Sequence, residues 1–184
     1  LSEKFAPRAN AFFSKPWLSG LSSGMQKIIP FVLVGSLISL YNILVSFMPF
    51  LPDLGPIHQY SFGLISLIVA FLVTSQCMEK LNHPFYVVNA GITSVCVAIM
   101  ALSPIGEKSD SISALLTNLG PTGIAVSMIV GIVVAIIFHN WGKLRFLKDS
   151  SIPDFVTGWI NTLVPAFISL GLAMILIFKL NIDI

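Results

Sequence analysis

The sequence predicts an all-α polytopic membrane protein of about five transmembrane helices, and three observations carry that reading. Of the 184 residues, 55% are hydrophobic and only 10% charged, against about a quarter charged in an ordinary soluble domain. The mean hydropathy is +0.92. Finally, the charged residues are placed so that five stretches carry none: Ile28 to Pro52, Leu54 to Met78, Leu81 to Gly106, Ser111 to Gly142, and Phe155 to Phe178. A bilayer core of about 30 Å takes roughly 20 apolar residues at 1.5 Å per residue, and a helix satisfies every backbone polar group within itself. Each stretch can hold one span.

Before the first span, residues 1–27 form a basic leader and residues 28–184 the five-span membrane domain. Phe5, Ala9, Phe12 and Phe13 share one side of a helical wheel while Lys4, Arg8 and Lys15 share another. That is the pattern of an amphipathic helix lying in the headgroup layer, with Pro16 expected to end it; a disordered basic leader is the alternative. The leader has no continuous apolar centre, so it is not a signal peptide.

Trimming at Pro, Gly and polar clusters places the spans at Ile28–Met48, Ser61–Met78, Tyr86–Leu102, Leu119–Trp141 and Gly158–Lys179. Pro49, Pro52, Gly55 and Pro56 break the chain between the first two. The connection at Ser103–Asn118 reads as a wet loop with a short helix at Ile112–Leu116. Pro165 lies several residues into the last span. Either Ile152–Val164 is a separate interfacial helix feeding that span or the span is kinked, and Asp154, Trp159 and Asn161 among apolar neighbours favour the first.

Eight of the ten Lys and Arg flank the spans on one side, leaving Lys108 and Lys179 on the other. The positive-inside rule then sets the amino end in the cytoplasm and the carboxyl end outside.

Small residues recur every fourth position in two spans: Ser127, Gly131 and Ala135 in the fourth, and Ala90, Ser94 and Ala98 in the third. Such stripes let helix backbones approach closely, within one chain or between two copies. Gly20 and Gly24 match the same pattern but fall before the first span as drawn. No Asp, Glu, Lys or Arg is expected at midspan, where ionisable groups usually mark function; the deep polar residues are hydroxyls and amides such as Ser36, Ser39, Asn42, Thr74 and Asn89.

His58, His83 and His139 are distant in sequence and share no helix at ligand spacing, so no metal and no catalytic group is assigned. Cys77 and Cys96 read as core thiols. A net charge of +2 without a basic run excludes nucleic acid as a partner class. No cofactor motif is present.

The stretch from Lys4 to Leu40, and within it PFVLVGS at Pro30–Ser36 with Pro30, Phe31, Gly35 and Ser36, resembles the amino end of the membrane permease (enzyme IIC) of the bacterial phosphotransferase system, in its lactose/cellobiose/diacetylchitobiose branch. A second match, IPDFVTGWINTLVPAFI at Ile152–Ile168 with Pro153 and Pro165, is similar to the segment leading to that family's fifth span. The resemblance implies the bacterial cytoplasmic membrane and transport of a β-linked disaccharide that a cytoplasmic B component phosphorylates. It also implies an amino-terminal half that scaffolds and forms a homodimer, with membrane lipid around it. The sugar-binding histidine and glutamate of the family belong to a carboxyl-terminal half expected beyond Ile184, so no residue here inherits them. Without a sugar role, the chain reads as a noncatalytic membrane scaffold or partner subunit. An oligomeric pore is disfavoured, since no span has a continuous polar face.

Overall fold

The computed structural model describes residues 15–48, 50–103, 111–144 and 154–179. Among them the regular structure is helical, and five helices are long and apolar enough to cross a membrane. In order the α-helices are α1 (Pro16–Phe47), α2 (Gly55–Tyr60) leading through a 3-10 turn into α3 (Ile65–Lys80), α4 (Val87–Leu102), the short α5 (Ser111–Asn118), α6 (Ile124–Leu144) and α7 (Asp154–Met174); the spans are α1, α2 with α3, α4, α6 and α7. A π-helical turn, Ile175–Lys179, completes the last span. The protein is a polytopic, all-α membrane protein.

The bundle is organised around α3. Ten of its sixteen residues are buried, because α1, α4 and α6 pack against it on three sides. Small residues bring the backbones together, as expected where hydrophobic drive between helices is weak. A Cβ on Gly20 would stand 2.7 Å from Cys77 Cα, and one on Gly24 would stand 2.9 Å from Val73 Cα. On α4, a Gly91 Cβ would meet the Phe71 ring at 2.6 Å, and on α6 a Gly131 Cβ would meet Val73 Cγ1 at 3.0 Å. At Gly20 and Gly24 the facing atoms include backbone, so a side chain there would push the helices apart, while at Gly91 and Gly131 the facing side chains would have to give.

Two expectations are corrected. The first span does not begin at Ile28: α1 is continuous from Pro16, so the division at residues 27 and 28 falls inside a helix. Pro16 occupies the first turn, where its missing N–H costs nothing, and starts this helix. The surface helix expected around Phe5–Phe13 lies outside the described residues.

Nor is there a separate interfacial helix before the last span, because α7 runs unbroken through a buried Pro165. The reason is the solvent. A proline in a helix leaves the carbonyl four residues earlier, here that of Asn161, without its donor, whereas breaking the helix would strand several N–H and C=O groups at each new end. The Ser169 hydroxyl donates to the Pro165 carbonyl at 2.7 Å, so polar groups in this turn are partly satisfied locally.

Candidate functional site

Both small-residue stripes face the interior of a single chain. Ser127, Gly131 and Ala135 on α6 are buried, as are Ala90, Ser94 and Ala98 on α4. Hydroxyls stitch them to α3: Thr74 Oγ1 donates within 2.8 Å of the Ala70 carbonyl and 3.1 Å of the Gly131 carbonyl, and Ser94 Oγ lies 2.9 Å from the Ala70 carbonyl and 2.8 Å from that of Gly91. Ser127 Oγ is buried with no hydrogen-bond partner among the described residues. These six residues therefore pack helices within the chain.

The motif residues at the start of the chain occupy α1. Gly35 is buried where the helix crosses Phe62, whose ring would come within 2.5 Å of an added Cβ. Phe31 packs on the core from a partly buried position. Pro30 is internal to the helix, and Ser36 returns its hydroxyl to the Val32 carbonyl at 2.9 Å. Pro153 lies outside the described residues.

At the rim of the bundle carrying Lys80 and Lys143, the structure brings together two residues that the sequence seemed to separate. α3 ends on Leu81 and then Asn82, which takes a positive φ of 58°, a left-handed conformation that Asn adopts more readily than most side chains. The reversal lets the His83 N–H bond back to the Met78 carbonyl at 3.0 Å. It also aims the ring across to α6, where His83 Nε2 and His139 Nδ1 stand 3.0 Å apart.

Two neutral imidazoles can share one proton in this way, one donating and the other accepting. Trp17 of α1 approaches the His139 ring edge-on at 5.4 Å between centroids, and Tyr86 stacks edge-on against Phe138. Three elements, α1, the α3–α4 turn and α6, thus meet at one aromatic knot. Among the described residues no three His, Cys, Asp or Glu side chains converge to hold a metal ion. A signal for the pairing was present in the sequence, since both histidines lie at the same end of parallel spans. His58 is elsewhere, beside Phe62.

A second polar feature is Lys27, which the sequence puts ahead of the first span and which lies inside α1. As residue numbers rise along α1 they fall along α3, with Gly20 against Cys77, Gly24 against Val73, and Gly35 against Phe62. Lys27, three residues past Gly24, therefore stands level with Ala70, near the midpoint of the Gly55–Lys80 span. Its ammonium reaches back 4.0 Å from Glu79 Oε2, which also accepts from Gln76 Nε2 at 2.7 Å. A long side chain pulling its charge toward the membrane surface is the familiar behaviour of lysine in a span. The two cysteines also part company: Cys77 is buried beneath Trp17, whereas Cys96 is exposed on α4.

Fold and site define a polytopic α-helical membrane protein whose span interfaces are lined by small and hydroxyl residues. Compared with known proteins, the chain matches no family model, no curated protein and no solved structure.

Proposed function

We propose that this chain is the amino-terminal scaffolding module of a phosphotransferase-system sugar permease. In this reading the permease carries a β-linked disaccharide of the cellobiose, chitobiose or lactose kind across the bacterial cytoplasmic membrane, and a cytoplasmic B component phosphorylates it. The observation that carries the scaffolding part is the grip on α3, where three helices approach at Gly20, Gly24, Gly91 and Gly131 with no room for a Cβ to be added without displacement. Such a body resists flexing, and a second, sugar-binding half can rock against it in alternating access.

The sugar part is supported by the motif residues of α1 and α7: Pro30, Gly35 and Pro165 sit inside spans, and Gly35 makes a contact that requires its missing side chain. The excess of Lys and Arg at the rim that carries Lys80 and Lys143 supports a cytoplasmic position for that rim. The module dimerises and takes no direct part in phosphotransfer.

The test is phosphorylation of radiolabelled disaccharide by membranes holding the intact polypeptide, supplied with phosphoenolpyruvate and the soluble phosphotransferase proteins. Product that disappears when the gene is deleted supports the reading. Undiminished phosphorylation in the deletion strain, or none with any β-linked disaccharide, leaves a membrane scaffold with no sugar role.

A further inference from the structure

The turn between α3 and α4 is held against α6 by two imidazoles. The His83 ring is seated on the α6 backbone at Gly142, where a Cβ would come within 3.0 Å of its Cε1, and its Nε2 stands 3.0 Å from His139 Nδ1. Both rings are partly buried. At that separation one hydrogen fits between the facing nitrogens, so one of them carries the proton and the other offers a lone pair. The closed pair can take one extra proton on a nitrogen turned away from the contact. A further proton would set two N–H groups and two positive charges face to face.

The surroundings do little to offset that charge. Lys143 lies one turn past His139 on α6, and Lys80 ends α3; both are exposed at this rim. From α1 come Trp17, edge-on to His139, and Lys15 just ahead of the helix. α3 adds the buried Cys77 thiol, and the entry to α4 adds the Tyr86 phenol, whose ring centroid is 6.2 Å from that of His83. α7 starts at Asp154 and lays Gly158 against Phe85. Among the described side chains, the carboxylate at this rim is that of Glu79, already engaged by Gln76 and Lys27.

We infer that the histidine pair is a proton-sensitive latch, closed while no more than one of the two rings is charged and opened when both are. Opening frees the α3–α4 turn from α6 and leaves the bundle packed, with the exposed Asn82, at its positive φ of 58°, as the hinge. An imidazole released into water titrates near 6.5, so in acid the open turn binds one proton more than the closed one. The closed-to-open ratio therefore falls by up to about tenfold per pH unit below that range, and the latch is fully made above it. This device goes beyond the scaffolding reading and does not depend on the sugar.

The test is amide hydrogen exchange of the whole chain in detergent micelles from pH 8 to 5. Each rate is divided by that of unstructured peptide at the same pH, so that opening alone is read. The N–H groups of Asn82, His83 and Tyr86, bonded to the carbonyls of Glu79, Met78 and His83, report the latch, and those of Ser66 and Gly123 report the opposite rim. Protection at the turn is expected to hold from pH 8 to 7 and to fall several-fold to tenfold between pH 6 and 5, with the opposite rim unchanged. His139→Gln and His83→Gln each keep a polar side chain but remove one titrating ring, and either is expected to abolish the acid-dependent fall. Ring-nitrogen NMR of labelled histidine is expected to show the pair taking up protons in two steps more than about one unit apart.

Protection at the turn that stays flat in the unmodified protein would overturn the inference. So would an acid-dependent fall that survives in both variants, an equal fall at Ser66 and Gly123, or the two rings titrating together in one step.

Discussion

Gly24 and Gly131 touch opposite flanks of the same residue, Val73, so α3 is clamped at one level from both sides. Gly131→Leu forces a side chain between Val73 and Thr74, and Gly24→Leu forces one against the Val73 backbone, which cannot rotate away. Overpacking of a filled interior costs about 1–3 kcal/mol and sometimes more. Both variants are expected to melt at lower temperature in detergent, Gly24→Leu by the larger margin, and an unchanged melting point would remove the clamp.

At the opposite rim, Ser66 performs a different task. Its N–H bonds to the Leu119 carbonyl at 3.1 Å, and its hydroxyl lies against the Leu119 carbonyl and 2.8 Å from that of Gly120. It thereby ties α3 to the link between α5 and α6. Ser66→Ala removes the donor from a buried carbonyl, at a cost of about 1–3 kcal/mol, whereas Ser36→Ala, whose hydroxyl only returns to its own helix, is expected to change stability much less. Thermal melts of the two variants side by side check this.

Between elements, the joint most exposed to test is the one between the α3–α4 turn and α6. The His83–His139 contact spans it, and its loss is expected to release the turn without unfolding the bundle, since α3 remains packed along its length. Amide hydrogen exchange at residues 82–86 should accelerate several-fold in His139→Ala, in keeping with about 1 kcal/mol for one hydrogen bond. Exchange unchanged in the turn, or accelerated equally throughout α3, would argue against a local latch.

The elements also mark how far the sequence could be read. The spans Ser61–Met78, Tyr86–Leu102 and Leu119–Trp141 fall within a few residues of the helices observed, because their ends coincide with proline, glycine and charge. α1 did not yield to the same rule. Lys27 interrupts the uncharged run and so reads as a boundary, yet a lysine has good helix propensity and a stem long enough to carry its charge away. Moving the boundary past Lys27 also hid Gly20 and Gly24, which make the closest backbone approach to α3. Pro165 misled in the same manner, since a proline that ends a helix in water can be carried through one in lipid.

For the whole molecule, composition and charge spacing were sufficient for the fold class, because lipid permits few spanning architectures and the helix leaves the clearest trace in sequence. What packs against what was less legible. The stripes on α4 and α6 identified surfaces of close approach, but only the folded chain shows that both serve α3. The histidine pair required the parallel offset of α3 and α6, which no local pattern encodes.

Five crossings packed around α3 require the connections to alternate across the membrane. With Cys77 and Cys96 replaced, single cysteines at Asp53, Asn82 and Ser113 are labelled with a membrane-impermeant thiol reagent in sealed right-side-out and inverted vesicles. Asp53→Cys and Ser113→Cys are expected to label in one orientation and Asn82→Cys only in the other. Labelling of all three from the same side would contradict that arrangement.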